Sequence, residues 1–220
     1  MNNISNAGMQ NPAFVGEWEI PRLKITYING IMNGEKDCLS TAKMISGFYK
    51  QAKVYYIFDP SEGFLKDTLS ALNMLCFSLE NPAVSQLADL WKRCLQEDNG
   101  EIVHYAHSRG GLVTKLALQQ LSKQEKQRIH LRIFGSPAFF FDRSLGSIVH
   151  HINEKDCIPA VNLWRLCYAA DHEITIPSSS DACCFEHSIK DSSYSSSLKK
   201  FAAEDLRNKY MEPLPLIMEK

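Results

Sequence analysis

The segment EIVHYAHSRGGLVTKLALQQL, from Glu101 to Leu121, determines how the rest of this sequence is interpreted. It opens with a run of β-prone residues, passes through Ala106-His107-Ser108-Arg109-Gly110, and continues at once as an amphipathic, helix-prone run. This pattern predicts a strand and a helix joined by a sharp turn that carries Ser108. The serine is either a reactive hydroxyl on an elbow or an ordinary helix cap, and the surrounding sequence has to decide between them.

Segments typical of strands and of helices alternate along nearly the whole chain. Residues 162–177 are ambiguous between a helix, a strand and a covering loop, whereas 122–128 and 178–198 have the composition of loops. Such alternation predicts βαβ units, hence a mostly parallel sheet with helices on both faces. Strands are expected within 22–30, 52–60, 101–107, 129–137 and 146–159, and helices within 38–51, 63–79, 83–97, 110–121 and 197–210.

In a sheet of this kind ligands bind beyond the carboxyl ends of the strands, so candidate site residues should follow the strands. Ser108 follows one predicted strand, Asp156 follows a later one, and His187 comes after both. The order Ser, Asp, His is that of the α/β-hydrolases. Ala106 and Gly110 flank the serine in an A-x-S-x-G pattern, and small residues are needed there because the tight turn brings them against neighbouring elements.

Asp156 and His187 are the candidate partners of the serine, and each has rivals. Asp156 lies after a strand and before a proline, where a carboxylate can hold an imidazole in one tautomer. Glu154 and Asp171 are alternative acids, and His172 is an alternative base. The competing interpretation of Asp156 and His187 is that both are solvated loop residues.

Two further histidines, His104 and His107, are not expected to act as the catalytic base. His107 precedes the serine, and a neighbour on an elbow points away from the hydroxyl, so we expect it to pack or to line the site rather than to act as the base. His104 lies within the predicted strand and is expected to be a hydrogen-bonded core histidine. The backbone N–H groups at Gly30 and Ile31, together with that of Arg109, are the candidate oxyanion hole.

The 220 residues, 45% hydrophobic and 22% charged, are typical of one globular domain. A formal net charge of −1 gives no general attraction to nucleic acid or anionic lipid. Seven scattered cysteines without a C-x-x-C pair indicate free thiols in a reducing compartment, and no metal or other cofactor is implied.

The two ends of the chain are predicted to lie outside the domain. Residues 1–20 are polar and are expected to form a flexible leader, residues 21–210 the domain, and residues 211–220 a tail. The leader lacks the basic head and apolar run of a Sec signal peptide, and no window has the length of a membrane span. A location in the cytoplasm, or export by a route other than Sec, is expected.

Four segments together resemble the class 3 lipase-like α/β-hydrolases: 103–118, Phe134-Gly135-Ser136-Pro137, Asp156 with Ile158-Pro159, and 185–194 around His187. Residues 25–69 also resemble hydrolase-like proteins of obligate intracellular bacteria, in which an N-G-I-x-N turn opens the domain. The resemblance covers about residues 22–200. This sequence differs in carrying Ala106 for the usual glycine, and the region that would form a lid is short, which implies a small or absent cap.

These observations predict a serine esterase or lipase-like hydrolase that acts on a small-molecule or lipid ester or thioester. Two alternatives remain open. One is an inactive α/β-hydrolase fold that serves as a binding module or exported effector, and the other is an acyltransferase that uses the same serine. Phosphodiester or nucleotide chemistry is disfavoured because neither a phosphate loop nor a metal-binding cluster occurs in the sequence.

Overall fold

The computed structural model describes residues 12–31, 34–60, 81–97, 99–159, 173–176 and 187–207. The predicted helix within 63–79 lies outside these residues, as do the expected tail and the start of the leader. The strands are β1 (Phe14–Val15), β2 (Leu23–Ile28), β3 (Val54–Ile57), β4 (Glu101–His107), β5 (Ile129–Phe134), β6 (Ser147–Asn153) and β7 (Glu173–Ile176). The helices are α1 (Glu35–Phe48), α2 (Pro82–Glu97), α3 (Gly110–Leu118), α4 (Lys123–Lys126) and α5 (Ser192–Asp205).

All seven described strands form one sheet, in the order β1-β3-β2-β4-β5-β6-β7. Every pairing is parallel except that of β1 with β3. The order reverses between β2 and β4, because the chain leaves β2 for β3 on one side and then returns to place β4 on the other. In open α/β sheets the binding crevice forms at such a reversal, beyond the carboxyl ends of the strands.

The sheet separates two hydrophobic clusters because successive side chains of a strand point to opposite faces. In β4, Ile102 and Ala106 belong to the cluster beneath α2 and α3, and Val103 and Tyr105 belong to the one beneath α1 and α5. Helices therefore cover both faces, and the predicted fold class, an α/β-hydrolase fold with a mostly parallel sheet, is confirmed. The expectation of a small or absent cap depends on residues outside the described ranges.

Several boundaries differ from the sequence-based expectations. The 122–128 segment contains the single-turn helix α4, because Ser122 and Glu125 form a reciprocal capping box. Helix α5 begins at Ser192, within a segment expected to be a loop, because Tyr194, Leu198 and Ala202 recur at helical spacing and are buried. The ambiguous 162–177 segment contributes strand β7, which pairs in parallel with β6.

The expected leader of residues 1–20 also differs from the structure. Phe14 and Val15 pair with β3, Trp18 forms a bridge with Ala52, and Ile20 is buried. Burial of Ile20 and partial burial of Val15 against the core favour this placement over a solvated chain. Residues 14–20 thus belong to the fold. Among the described helices, none has both the length and the apolar character needed to cross a membrane.

Candidate active site

Ser108 lies at the junction of β4 and α3, on the carboxyl edge of the sheet. Its φ of +53° is in the left-handed region, which residues with a side chain rarely adopt. The Gly111 N–H donates to the Ser108 carbonyl at 3.0 Å, so the helical turn begins directly at the serine. The strained turn matches a nucleophile elbow rather than a helix cap with extended backbone, and the serine itself is 2% exposed.

The small residues around the elbow are required by close contacts. A Cβ at Gly110 would lie 2.6 Å from the Asn29 carbonyl oxygen, and a Cβ at Gly30 would lie 2.6 Å from the Ser108 Cβ. Ala106 is fully buried in the middle of the sheet. Small residues were expected at positions 106 and 110 because the tight turn brings them against neighbouring elements. Gly110 agrees with this expectation, since it packs against the end of β2.

His187 connects the serine to a carboxylate. Its Nε2 lies 2.9 Å from the Ser108 Oγ, and its Nδ1 lies 2.7 Å from the Asp156 Oδ2. The Asp156 side chain is completely buried, and that of His187 is 16% exposed. A carboxylate accepts from Nδ1–H, which leaves Nε2 to accept the serine proton. The structure thus brings the three residues singled out in the sequence into one chain of hydrogen bonds.

Asp156 is held by groups other than the histidine. The Tyr194 hydroxyl donates to its Oδ2 at 2.6 Å, and the Ile158 N–H donates to its Oδ1 at 3.0 Å. The Asn153 N–H in turn donates to the Tyr194 oxygen at 3.1 Å. Gly135, with a φ of +54°, passes so close that a Cβ there would lie 2.5 Å from Oδ2. These donors compensate for the loss of solvent around the buried carboxylate and fix its direction.

His107 packs beside His187, as expected, and is not placed as the base. Its Nε2 donates to the His187 carbonyl oxygen at 2.7 Å, and the two ring centroids are 4.8 Å apart. Burial, with a smaller effect from the neighbouring His187, lowers the pKa of His107 to about 3. The neutral ring therefore supports the segment that presents His187.

His104 is a core residue, which confirms the sequence-based expectation. Its two ring nitrogens bond to the hydroxyls of Thr26 and Thr114, at 2.8 and 2.9 Å. Burial lowers its pKa to about 3. Both ring nitrogens therefore have partners while the ring is neutral, and His104 takes no part in the site.

The three residues of the predicted oxyanion hole lie around the elbow. Arg109 stands at the start of α3, where the first backbone N–H groups of a helix lack partners within the helix. Gly30 faces Ser108 across the gap between β2 and β4. Ile31 follows in the same turn and is partly exposed. Gly30 and Arg109 therefore lie on either side of the serine, on the turns that follow β2 and β4.

Of the rival residues, only Glu154 lies within the described ranges. Glu154 lies exposed on the turn after β6, two residues before Asp156. Asp171 and His172 fall outside the described residues. Among the described residues, His, Cys, Asp and Glu side chains form no group of three that could hold a metal ion.

Two residues at this edge were missed in the sequence. Tyr194 was assigned to a serine-rich loop, although its i, i+4 spacing to Leu198 and Ala202 was a usable helical signal. Asp59 follows β3 at the same edge as Ser108, and its local sequence, Asp-Pro, indicates only that a strand ends there. The general expectation that functional residues follow parallel strands could have identified it.

The sequence matches no family model and no curated protein. Solved structures do resemble it. Est1E from Butyrivibrio proteoclasticus is 14% identical, with 88% of this chain and 93% of that chain covered and a TM-score of 0.49. An acetylxylan esterase is 12% identical, with 86% and 96% covered and a TM-score of 0.47. Trichoderma reesei cutinase, in complex with a phosphonate inhibitor, is 14% identical, with 82% and 73% covered and a TM-score of 0.42. The strand order and register, rather than these distant likenesses, carry the fold assignment.

Proposed function

We propose that this protein is a serine hydrolase that cleaves a carboxylic ester or thioester. The observation that carries the proposal is the hydrogen-bonded chain from Ser108 through His187 to Asp156, with the serine on a strained strand-to-helix turn. A serine hydroxyl is a weak nucleophile until an adjacent base takes its proton, and the base needs a third group to orient it. Each of these roles has a candidate at hydrogen-bond distance.

In the proposed first step, the Ser108 Oγ attacks the carbonyl carbon of the substrate while the His187 Nε2 takes the hydroxyl proton. The resulting tetrahedral oxyanion is stabilised by backbone N–H groups at Gly30, Ile31 and Arg109. His187 then gives the proton to the leaving alcohol or thiol as the bond from carbon to that group breaks. An acyl-serine remains, and Asp156 stabilises the imidazolium in each proton transfer.

In the second step, water attacks the acyl-serine, and His187 now takes a proton from the water. Collapse of the second tetrahedral intermediate breaks the bond to Ser108 Oγ, which recovers its proton, and releases the carboxylic acid. An alcohol acceptor in place of water would give acyl transfer by the same steps. A small-molecule or lipid ester as substrate, and the closer relationship to class 3 lipases, remain predictions from the sequence.

The test is labelling with a fluorophosphonate probe, which reacts with a serine only where the site activates it. We expect an adduct on Ser108, mapped by peptide mass spectrometry, that is lost in Ser108→Ala. Ser147→Ala is the matched control, because Ser147 also contacts a histidine, His130, at 2.9 Å and should leave the labelling unchanged. Hydrolysis is then measured on p-nitrophenyl esters of several chain lengths. For the esters that the wild type cleaves, kcat should be lower by about 10⁴-fold or more in Ser108→Ala.

The outcomes of this experiment separate the alternatives. A folded wild type that gives no adduct and no hydrolysis would contradict the proposal and favour a binding module. An adduct together with ester products formed from an added alcohol would indicate an acyltransferase. An adduct with free acid as the product would support the hydrolase.

A further inference from the structure

A buried ion pair lies directly behind the elbow. The Arg109 Nη2 is 2.8 Å from the Asp59 Oδ2, and the two side chains are only 5% and 4% exposed. The same guanidinium nitrogen donates to the Pro60 carbonyl oxygen at 2.9 Å. Burying two charges is unfavourable unless their geometry and remaining hydrogen bonds are good. The side chain of the residue after the serine is thus held to the end of β3.

The Asn29 side chain binds the backbone of the same aspartate. Its Oδ1 accepts from the Asp59 N–H at 2.8 Å, and its Nδ2 donates to the Asp59 carbonyl at 2.9 Å. That Nδ2 also donates to the Gly30 carbonyl oxygen at 2.8 Å. Asn81 donates to the Asp59 Oδ1 at 3.3 Å. Asp59 is therefore bound through its backbone to the end of β2 and through its carboxylate to Arg109.

These contacts join the two sides of the proposed oxyanion hole. One side is the turn at Gly30 and Ile31 after β2, and the other is Arg109 after β4. Parallel strands β2 and β4 are hydrogen-bonded as far as Ile28 and Ala106. Beyond those residues the ladder ends, and the Asn29–Asp59–Arg109 network continues the connection between the two strand ends.

We propose that Asp59 is a positioning residue that sets the separation of the two groups of oxyanion-hole N–H donors. The inference rests on the proposed function. Oxyanion donors act only within a few tenths of an ångström of their best distance, because they must meet the oxygen of the intermediate rather than that of the substrate. The Arg109 Nη2 contacts two oxygens, the Pro60 carbonyl by a hydrogen bond and the Asp59 carboxylate as a buried ion pair, and these contacts limit the movement of the Arg109 side chain and of the backbone that carries it.

The experiment compares Asp59→Asn with Asp205→Asn. Asp205 forms the matched buried pair with Arg132, at 3.2 Å and with side chains 6% and 8% exposed, between α5 and the middle of β5. In Asp59→Asn we expect kcat to fall about 10- to 100-fold with KM within about twofold. Affinity for a trifluoromethyl ketone, which forms a tetrahedral oxyanion on the serine, should fall by the same factor as kcat. Asp205→Asn should lower the unfolding temperature but leave kcat within about twofold.

Hydrogen–deuterium exchange supplies a readout that does not depend on activity. Peptides covering 29–31 and 108–112 should exchange faster in Asp59→Asn than in the wild type, and should be unchanged in Asp205→Asn. If Asp59→Asn does not fold, Arg109→Lys replaces it. Lysine keeps the charge but loses the planar guanidinium and its fixed direction, so kcat should fall about 3- to 10-fold with KM unchanged.

The results separate this inference from the proposed function. Wild-type labelling at Ser108 together with unchanged kcat, inhibitor affinity and exchange in folded Asp59→Asn would overturn the positioning role and leave the hydrolase intact. A kcat loss that only follows the folded fraction would also overturn it. If the wild type is not labelled, the proposed function fails, and unchanged exchange would then reject the connection through Asp59 as well.

Discussion

Two imidazoles, one at each end of the strands of this sheet, each lie between a serine hydroxyl and a carboxylate. At the amino ends, His130 lies 2.9 Å from the Ser147 Oγ and 3.0 Å from the Glu101 Oε2. At the carboxyl ends, His187 makes the corresponding contacts at 2.9 and 2.7 Å. Judged by contact distances alone, both groups have the order of serine, histidine and carboxylate.

The surroundings of the two groups differ. Ser147 is the first residue of a strand, and its Oγ also accepts from the Arg132 Nη1 at 3.1 Å, whereas Ser108 lies on the turn between β4 and α3 with a φ of +53°. The Glu101 side chain is 40% exposed, and that of Asp156 is completely buried. Solvent weakens the effect of a carboxylate on an imidazole. A strained turn and a buried acid therefore distinguish the candidate active site from an ordinary hydrogen-bonded group.

The largest expected difference between the two ends is in catalysis. Asp156→Asn should lower kcat for ester hydrolysis by about 10³- to 10⁴-fold, because the amide favours the wrong tautomer of His187. Glu101→Gln makes the same chemical change beside His130 and should leave kcat within about twofold. Steady-state kinetics on a p-nitrophenyl ester measures both.

Circular dichroism should show that both variants are folded. Similar losses of kcat in the two variants would mean that the charge is needed for the fold as a whole. Near-wild-type activity in Asp156→Asn would remove Asp156 from the proposed mechanism.

A smaller effect is expected at Tyr194, which has a role only at the carboxyl end. Tyr194→Phe removes the donor to the Asp156 Oδ2, and we expect kcat/KM to fall about 10-fold. The loss should appear in kcat rather than in KM, because the phenol holds the direction of the Asp156 carboxylate that orients His187. Loss of packing alone would lower the unfolding temperature and leave kcat of the folded protein unchanged.

A third type of imidazole, His104 in the core, should control stability rather than activity. Its pKa of about 3 in the fold lies below the value near 6.5 of the unfolded chain. As pH falls below about 6.5, the unfolded state takes up a proton that the folded state does not, so the free energy of unfolding decreases toward acid. At pH 7 both states are neutral at this position.

His104→Gln disturbs the buried hydrogen bonds to Thr26 and Thr114, so it should be less stable than the wild type at pH 7. Because glutamine does not titrate, the variant should lose stability less steeply as the pH falls. The slope between about pH 6 and pH 4 should be smaller by up to about 1.4 kcal/mol per pH unit. Urea denaturation at a series of pH values measures this slope. Equal slopes in the two proteins would show that His104 is not held neutral by burial.

The sequence allowed much of the fold to be predicted because hydrophobic periodicity and turn residues are local signals. The strand 101–107, the elbow and the helix after it were recognisable, as were the strands near 25 and 131. The helix around Tyr194 was missed because serine-rich composition outweighed its periodicity. The edge strand at Phe14 was missed because a two-residue strand depends on its pairing with β3 rather than on its own propensity.

Order along the chain and position after strands by themselves indicated Ser108, Asp156 and His187 as members of one site. These features work because parallel strands deliver their carboxyl ends to one edge. Only the tertiary structure decided which groups hold the site in place. The partners of Asp156 and of Arg109, namely Tyr194 and Asp59, are 38 and 50 residues away in sequence, and no local pattern encodes contacts across such separations. For the same reason, short contacts alone do not distinguish the group around His130 from the candidate site. The burial of the carboxylate and the backbone conformation of the serine, which only the tertiary structure shows, distinguish them.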